Sequence, residues 1–250
     1  MRNPPRSKQH RAASSLTMCA MSLDARRLRW IAAVSVALNL AALTLFAVHH
    51  HGPRPPALAS REQARADLFH AIATGRRDVV MLGDSLTDRG EWSELLERPV
   101  ANRGIAADTI ADVRARLDDV VALAPRVVFV LIGVNDLLEG ATPEAMASKH
   151  AALLGELRRR LPTTRIIVES LLPIRDEIVA RDQPLTTATV QKANRLLASG
   201  AAAAGADWVD VASHLADASG ELDPRYSSDG LHLTGAGYRV WADALRPYLP

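Results

Sequence analysis

The sequence predicts an α/β protein whose single doubly wound domain has a five-stranded parallel sheet with helices on both faces. Short apolar runs recur after residue 60, and segments of helical periodicity separate them. Apolar runs bounded by turn residues are typical of buried strands, and strands that alternate with helices form parallel sheets. At 250 residues, the chain is long enough for one such domain with a substantial core.

The predicted strands are residues 78–82, 99–105, 126–133, 165–173 and 206–213. After the second strand, the segment DTIADVRARLDDVVAL predicts a helix with one apolar face. That face consists of Ile110, Val113, Leu117, Val120 and Val121. The segments PEAMASKHAALLGELRRRL and TATVQKANRLLASGAAAAG also favour helices. The predicted domain covers residues 61–250.

The N-terminal segment predicts attachment to a membrane. Residues 30–48 contain no charge, and a helix of this length spans about 28 Å, close to the hydrocarbon thickness of a bilayer. Arg26, Arg27 and Arg29 precede it and favour a cytoplasmic N-terminus. We therefore expect an extracytoplasmic domain behind a single anchor. The predicted parts are a basic cytoplasmic tail (1–29), a transmembrane signal-anchor (30–48) and an extended proline-rich linker (49–60).

Two other interpretations of the apolar segment remain open. Ala57, Leu58 and Ala59 have the small-x-small form of a signal-peptide cleavage site. The long apolar run and the segment HHHGPRPP before this site favour an uncleaved anchor over a cleaved, secreted form. A buried core helix is the third interpretation, because polar residues such as Asn39 lie along the run.

Charge and cysteine content argue against several classes of function. The net charge is +2, but seven basic residues and one acidic residue precede Trp30, which leaves the rest of the chain at −4. We therefore expect no nucleic-acid partner. Cys19 is the only cysteine and lies in the predicted cytoplasmic tail, so the outer domain has no disulfide or zinc–cysteine site. The run His49 to His51 is more typical of interfacial residues than of metal ligands, and no nucleotide-binding motif is present, so we expect neither metal nor cofactor.

Polar residues lie at or just after the carboxyl ends of the first three predicted strands, where parallel sheets bind their ligands. These residues are Gly83-Asp84-Ser85, Asn102-Arg103-Gly104 and Gly133-Val134-Asn135-Asp136. Near the C-terminus, Asp229 and His232 are three residues apart, and this spacing lets a carboxylate orient an imidazole. Each group alone also fits a helix cap or a turn. Together they supply a serine, a base, an acid and oxyanion donors, which are the groups that acyl transfer needs.

Four blocks in order resemble the SGNH or GDSL family of serine esterases and acylhydrolases: GDSLT, NRGIAADTIADV, LIGVNDL and DGLHLTGAGY. The resemblance extends from about residue 79 to residue 248. It is strongest to the branch of platelet-activating-factor acetylhydrolase subunits and sialate O-acetylesterases. It implies a flavodoxin-like SGNH-hydrolase fold.

The resemblance also implies the roles of individual residues. Ser85 is expected to be the nucleophile, His232 the general base and Asp229 its orienting partner. The backbone N–H groups of Ser85 and Gly104 and the side-chain amide of Asn135 are expected to form the oxyanion hole. The sequence departs from the branch at Ala107, where glycine is common, and this raises a question about backbone shape or substrate fit.

These observations predict a membrane-anchored serine esterase that removes a short acyl group, with acetyl favoured, from an oxygen ester on a carbohydrate or lipid. An O-acyltransferase acting on surface polysaccharide would use the same acyl-serine intermediate. A tethered binding module on an inactive esterase fold is a third hypothesis, and the complete set of triad and oxyanion residues argues against it. Arg175 and Arg181 either receive an acidic substrate or are solvated. The sequence leaves the acyl length, the alcohol and the oligomeric state open.

Overall fold

The computed structural model describes residues 30, 34–35, 56–179 and 185–250. The chain divides after residue 55, and the unit Pro56–Pro250 contains the sheet. Most of the predicted tail and membrane anchor lies outside the described residues, so the anchor stays a prediction. In the part that is described, no helix combines the length and apolar character needed to cross a bilayer.

The sheet has five parallel strands in the order β2-β1-β3-β4-β5. The strands are β1 (Val79–Gly83), β2 (Val100–Gly104), β3 (Val127–Leu131), β4 (Arg165–Glu169) and β5 (Asp207–Val209). This is the flavodoxin-like order, so the prediction of one doubly wound α/β domain with five parallel strands is confirmed. The last four predicted strands were too long, the second by only one residue at each end. Buried residues such as Ile132 and Leu171 continue beyond the hydrogen-bonded ladder and lengthened the predictions.

Eleven helices occur in the described ranges of Pro56–Pro250, together with one 3₁₀ turn at Arg246–Tyr248. They are α1 (Pro56–Ile72), α2 (Ser85–Asp88), α3 (Trp92–Leu95), α4 (Ile110–Ala115), α5 (Asp118–Val121), α6 (Val134–Leu138), α7 (Pro143–Arg160), α8 (Asp176–Val179), α9 (Thr187–Ala203), α10 (Ala212–Leu215) and α11 (Gly235–Leu245). Helices α7 and α9 pack against each other, and α11 packs against α3 and α10. The predicted helix after β2 is two short helices, α4 and α5, whose apolar face is buried as expected except for the half-buried Val121.

Helix α1 differs from the predicted extended linker, because it begins at Pro56 and makes residues 56–60 helical. Proline is favoured in the first turn of a helix, where its missing N–H costs nothing. The alanine, leucine, arginine, glutamate and glutamine residues that follow have high helix propensity. Phe69 in α1 is buried, with the guanidinium groups of Arg65 and Arg103 at 4.8 and 4.6 Å from its ring centroid.

The order of the strands creates a crevice between the carboxyl ends of β1 and β3. The chain leaves β1 toward β2 on one side, and it later continues from β3 toward β4 on the other side. Connections that diverge in this way go to opposite faces of the sheet and leave room for a ligand between them. Ser85 follows β1 and Asn135 follows β3, so both residues lie at this crevice.

Glu169, the last residue of β4, is a buried acid in the core. Its Oε2 accepts a hydrogen bond from Trp241 Nε1, and its Oε1 has no partner among the described residues. Burial raises the pKa of Glu169 to about 8, against a smaller lowering by the Trp241 bond. The carboxyl group is therefore protonated in the folded protein at neutral pH.

Replacement of this carboxyl group by an amide, Glu169→Gln, should make the protein more stable at alkaline pH. The folded wild type binds more protons than the unfolded chain between the ordinary pKa of 4.5 and about 8, so its stability falls as pH rises through this window. The variant keeps an acceptor for Trp241 and has no proton to lose. We expect similar urea midpoints at about pH 4.5 and a higher midpoint for the variant at about pH 9. A difference in urea midpoint between the variant and the wild type that does not change with pH would contradict the raised pKa of Glu169.

Candidate active site

The turn after β1 presents Ser85 as the first residue of α2. Asp84 is the N-cap, and its Oδ1 accepts a hydrogen bond from Leu86 N at 3.0 Å. Since Asp84 does the capping, the Ser85 hydroxyl is available for another partner. Ser85 is half-buried at the crevice.

Ser85, His232 and Asp229 form a hydrogen-bonded line. Ser85 Oγ lies 3.1 Å from His232 Nε2, and His232 Nδ1 lies 2.8 Å from Asp229 Oδ2. With the ring proton on Nδ1, the imidazole donates to the carboxylate and can accept the serine proton at Nε2. The two segments are 147 residues apart in sequence, and the fold brings them into contact.

Asp229 is held in place by the loop that it shares with His232. Its Oδ1 accepts hydrogen bonds from the backbone N–H groups of His232 at 2.7 Å and Leu231 at 3.0 Å. Partial burial raises the pKa of Asp229, but the hydrogen bonds from His232 and Leu231 outweigh it and lower the pKa to about 2. The carboxylate therefore stays ionised over the pH range in which an esterase works.

Asn135 reaches the crevice from the start of α6. Gly133 makes this possible with φ of +129°, and a Cβ there would lie 2.9 Å from Met146 Sδ. The side-chain amide of Asn135 donates to Asp108 O at 2.8 Å, which leaves a second amide proton for another acceptor. Ser85 is the first residue of a helix, so its N–H has no acceptor within the helix. These two predicted oxyanion donors come from opposite sides of the crevice.

The predicted donor Gly104 already has an acceptor in the structure. Its single N–H donates to Asn102 Oδ1 at 2.8 Å, so an oxyanion would have to displace this acceptor. The absence of a side chain serves packing instead, because a Cβ at residue 104 would lie 2.2 Å from Asp88 N. Gly104 therefore allows α2 to approach β2 closely.

Two other residues of the glycine block also have structural contacts. Asn102 Nδ2 lies 3.0 to 3.1 Å from the carbonyl oxygens of Thr87, Asp88 and Gly90, at the end of α2. Ala107 has a left-handed φ of +64°, a conformation that glycine adopts without strain. The departure from the family at this position therefore affects the backbone, as the sequence suggested.

Sequence reasoning missed two aromatic residues that hold α2 in place. Tyr238 Oη donates to Leu86 O at 2.7 Å, and Trp92 Nε1 donates to Thr87 O at 2.8 Å. Tyr238 was visible in the block DGLHLTGAGY, six residues after His232, but no sequence pattern indicates which carbonyl a tyrosine binds. The two rings pack edge to face, with centroids 6.0 Å apart.

The structure describes only one of the two arginines that were considered for binding an acidic substrate. Arg175 donates to Asp217 Oδ2 at 3.2 Å and to Leu222 O at 3.0 Å, so its charge is already paired. Arg181 and the histidines at 49 to 51 lie outside the described residues. Across the described ranges, no group of three or more histidine, cysteine, aspartate or glutamate residues has the arrangement of a metal site.

Relief of the strain at Ala107 should stabilise the protein. A left-handed conformation costs a residue with a side chain about 1–2 kcal/mol. Glycine would remove this cost, but part of the gain is offset by the greater entropy of glycine in the unfolded chain. We expect Ala107→Gly to increase the free energy of unfolding by about 0.5–1 kcal/mol in urea titrations. The matched control is Ala152→Gly, at an exposed position in the middle of α7, which should decrease it by about 1 kcal/mol. A loss of stability in both variants would contradict the inference that Ala107 is strained.

Comparisons with known proteins identify the family and the fold. The GDSL-like Lipase/Acylhydrolase family matches residues 81–240, which is more than half of the chain. No curated protein matches the sequence significantly. A structure from Streptococcus pneumonia, described provisionally as a platelet activating factor, is 25% identical with a TM-score of 0.68, over 86% of this chain and 99% of that one.

Two further solved structures share the fold at lower identity. A GDSL-like lipase from Bacteroides thetaiotaomicron is 20% identical, with a TM-score of 0.62 over 75% of this chain and 96% of that one. A mutant of an acetyl-xylooligosaccharide esterase from Geobacillus Stearmophilus is 21% identical, with a TM-score of 0.55 over 70% and 95%. The four ordered sequence blocks, the flavodoxin-like sheet and the family match agree with one another. The chain belongs to the GDSL-like lipase/acylhydrolase family of carboxylic ester hydrolases.

Proposed function

We propose that the protein is a serine esterase that forms an acyl-serine intermediate on Ser85. The observation that carries this proposal is the hydrogen-bonded line from Ser85 Oγ to His232 at 3.1 Å and from His232 to Asp229 at 2.8 Å. A serine hydroxyl is a weak nucleophile until a base accepts its proton. His232 is the residue positioned to accept it, and Asp229 holds the ring in the required tautomer.

In the first half of the reaction, Ser85 Oγ attacks the ester carbonyl while His232 Nε2 takes its proton. His232 then gives this proton to the departing alcohol, which leaves the acyl group on Ser85. In the second half, His232 takes a proton from water, and the resulting attack releases the acid and restores the serine. The ionised carboxylate of Asp229 stabilises the imidazolium that forms in each half.

Negative charge develops on the carbonyl oxygen during each attack. The Ser85 N–H and the Asn135 side-chain amide are the proposed donors, because they follow β1 and β3 and border the same crevice. Gly104 is omitted from this set, since its N–H is bonded to Asn102. Donors fixed before the reaction stabilise such charge without reorganisation.

The proposed substrate is a short-chain oxygen ester, with acetyl on a carbohydrate or lipid as the preferred case. Resemblance to the acetylhydrolase and O-acetylesterase branch supports this choice, and one structure with the same fold is an acetyl-xylooligosaccharide esterase. Transfer of the acyl group to a sugar hydroxyl would follow the same first half-reaction. Hydrolysis is preferred because the matching family is one of lipases and acylhydrolases.

Removal of the nucleophile or the base should abolish ester hydrolysis. We expect Ser85→Ala and His232→Ala to lower kcat by about 10⁴-fold or more, and Asp229→Asn to lower it by about 10⁴-fold, with p-nitrophenyl acetate as substrate. The wild type should hydrolyse the acetate faster than the octanoate. A fluorophosphonate probe should label the wild type and leave Ser85→Ala unlabelled.

Matched controls for these variants are Ser199→Ala and His214→Ala, both at exposed helical positions. They should keep activity within about twofold of the wild type, as surface changes away from the site usually do. Circular dichroism should show that all variants are folded. Near-native hydrolysis by folded Ser85→Ala would refute the proposed function.

We further propose that the domain is extracytoplasmic and anchored by residues 30–48. The uncharged run and the three arginines before it support this orientation. Hydrophobic spans of this length insert stably into bilayers.

The proposed anchor can be tested with one epitope tag at each terminus of the full chain. We expect both tags on one polypeptide that stays in the membrane fraction after alkaline carbonate extraction. The C-terminal tag should be digested by protease added outside the cell membrane. A soluble polypeptide that carries only the C-terminal tag would show cleavage instead, and a soluble polypeptide with both tags would show that no anchor exists.

A further inference from the structure

Arg116 is bonded to Gly83 and Asp108, next to the crevice, and the sequence analysis assigned it no role. It is the C-cap residue of α4, and its side chain is only 10% exposed. Burial of a guanidinium group is costly unless its charge and its N–H groups find partners. The partners of Arg116 therefore indicate what the residue does.

The guanidinium group joins two segments of the candidate site. Its Nε donates to Asp108 Oδ2 at 2.7 Å, and its Nη2 donates to Gly83 O at 3.1 Å. Gly83 is the last residue of β1 and precedes Asp84 and Ser85. The two bonds thus connect the turn that carries Ser85 with the loop that contains Asp108.

Asp108 in turn contacts the other side of the crevice. Its backbone carbonyl accepts the hydrogen bond from Asn135 Nδ2 at 2.8 Å. A continuous path of hydrogen bonds and backbone therefore leads from Gly83 through Arg116 and Asp108 to the Asn135 amide. A shift of the Asp108 loop would change the direction of that amide.

We propose that Arg116 is a positioning residue that fixes the Asn135 amide relative to Ser85, and so sets the geometry of the oxyanion hole. This inference rests on the proposed esterase function. Arg116 acts through Asp108 and Gly83 and does not itself touch the substrate. Its loss should therefore slow the chemical step more than it weakens substrate binding.

The electrostatics of the surroundings agree with this role. Burial raises the pKa of Asp108 to about 6, while the charge and hydrogen bond of Arg116 act to lower it. Asp84 is also buried, and the neighbouring Asp108 charge adds to the effect of burial in raising its pKa to about 7. Arg116 is thus the cation that makes an ionised Asp108 tolerable beside Asp84.

The geometry favours arginine over lysine at this position. Asp108 and Gly83 are bonded by two different nitrogen atoms of one planar group. An ammonium group concentrates its charge at a single nitrogen and cannot reproduce a fork of this width. Lysine would keep the charge and lose one of the two connections.

The experiment is a double-mutant cycle on the purified full chain, with p-nitrophenyl acetate as substrate. The variants are Arg116→Met, Arg116→Lys, Asn135→Ala and the combinations of each arginine variant with Asn135→Ala. Loss of one oxyanion donor costs about 10²–10³ in kcat, so this is the expected loss in Asn135→Ala. Arg116→Met should lose about 10–10² in kcat, with KM within about threefold of the wild type, and Arg116→Lys should be intermediate.

The combination of changes gives the decisive result. If Arg116 acts through Asn135, either arginine substitution should have less than about a threefold effect in the Asn135→Ala background. Arg114→Met is the matched control, because Arg114 lies on the same helix and pairs with Glu156 at the surface. This control should keep wild-type kcat.

Several outcomes would overturn the inference. One is a folded Arg116→Met with wild-type kcat, and another is an equal loss in both backgrounds, which would indicate a role unrelated to Asn135. If Arg116→Met does not fold, Arg116→Lys decides: wild-type kcat or a change in KM alone rejects the proposal. Activity that survives Ser85→Ala would overturn the esterase function and this inference together, whereas dependence on Ser85 and Asn135 but not on Arg116 would overturn only the inference.

Discussion

The architecture of the candidate site depends on the packing of α2, which carries Ser85. This helix has only four residues, and a single turn is not stable by itself. Asn102 and Trp92 both bind Thr87 O, and Tyr238 binds Leu86 O. Gly104 lets β2 approach the backbone of α2 to a distance that any side chain would prevent. Tertiary contacts, rather than helix propensity, therefore determine where the serine hydroxyl points.

The same contacts couple the serine to its proposed base. Tyr238 belongs to α11, the helix that follows the loop of Asp229 and His232. Its hydroxyl binds Leu86 O next to Ser85, and its ring is stacked on Trp241 with centroids 5.8 Å apart. Aromatic side chains have few rotatable bonds and hold a fixed geometry at low entropic cost. The two halves of the hydrogen-bonded line are thus supported by one aromatic cluster.

Some energetically unfavourable features lie around the crevice, and others lie elsewhere, such as the unpartnered Glu169 Oε1 and the left-handed Glu97 and Ala124. Asp84 Oδ2 and Arg116 Nη1 are buried without a hydrogen-bond partner among the described residues, and Ala107 is left-handed. The central strands β1 and β3, by contrast, are almost entirely apolar and excluded from solvent. Departures from good packing and hydrogen bonding persist where the surrounding structure enforces them, and they are common at functional sites. Asp84, one of these residues, is adjacent in sequence to the proposed nucleophile Ser85.

Much of the fold could be predicted because its signals are local. Apolar runs and helical periodicity identified all five strands and the buried face formed by Ile110, Val113, Leu117 and Val120. The serine, aspartate and histidine could be proposed from the sequence because each lies in a short, distinctive block, and the ends of parallel strands converge on one edge of a sheet. Helix α1 was missed because its sequence followed a proline-rich segment that suggested an extended chain.

The role of Gly104 shows the limit of such reasoning. From the sequence, the family resemblance implied that Gly104, the last residue of β2, is an oxyanion donor. A backbone N–H has one proton, however, and in the folded chain Asn102 Oδ1 accepts it. The sequence determined which polar groups are available at the strand ends. Tertiary structure decided which of them remain available to a substrate, because a hydrogen bond is settled by the acceptors that are close in space.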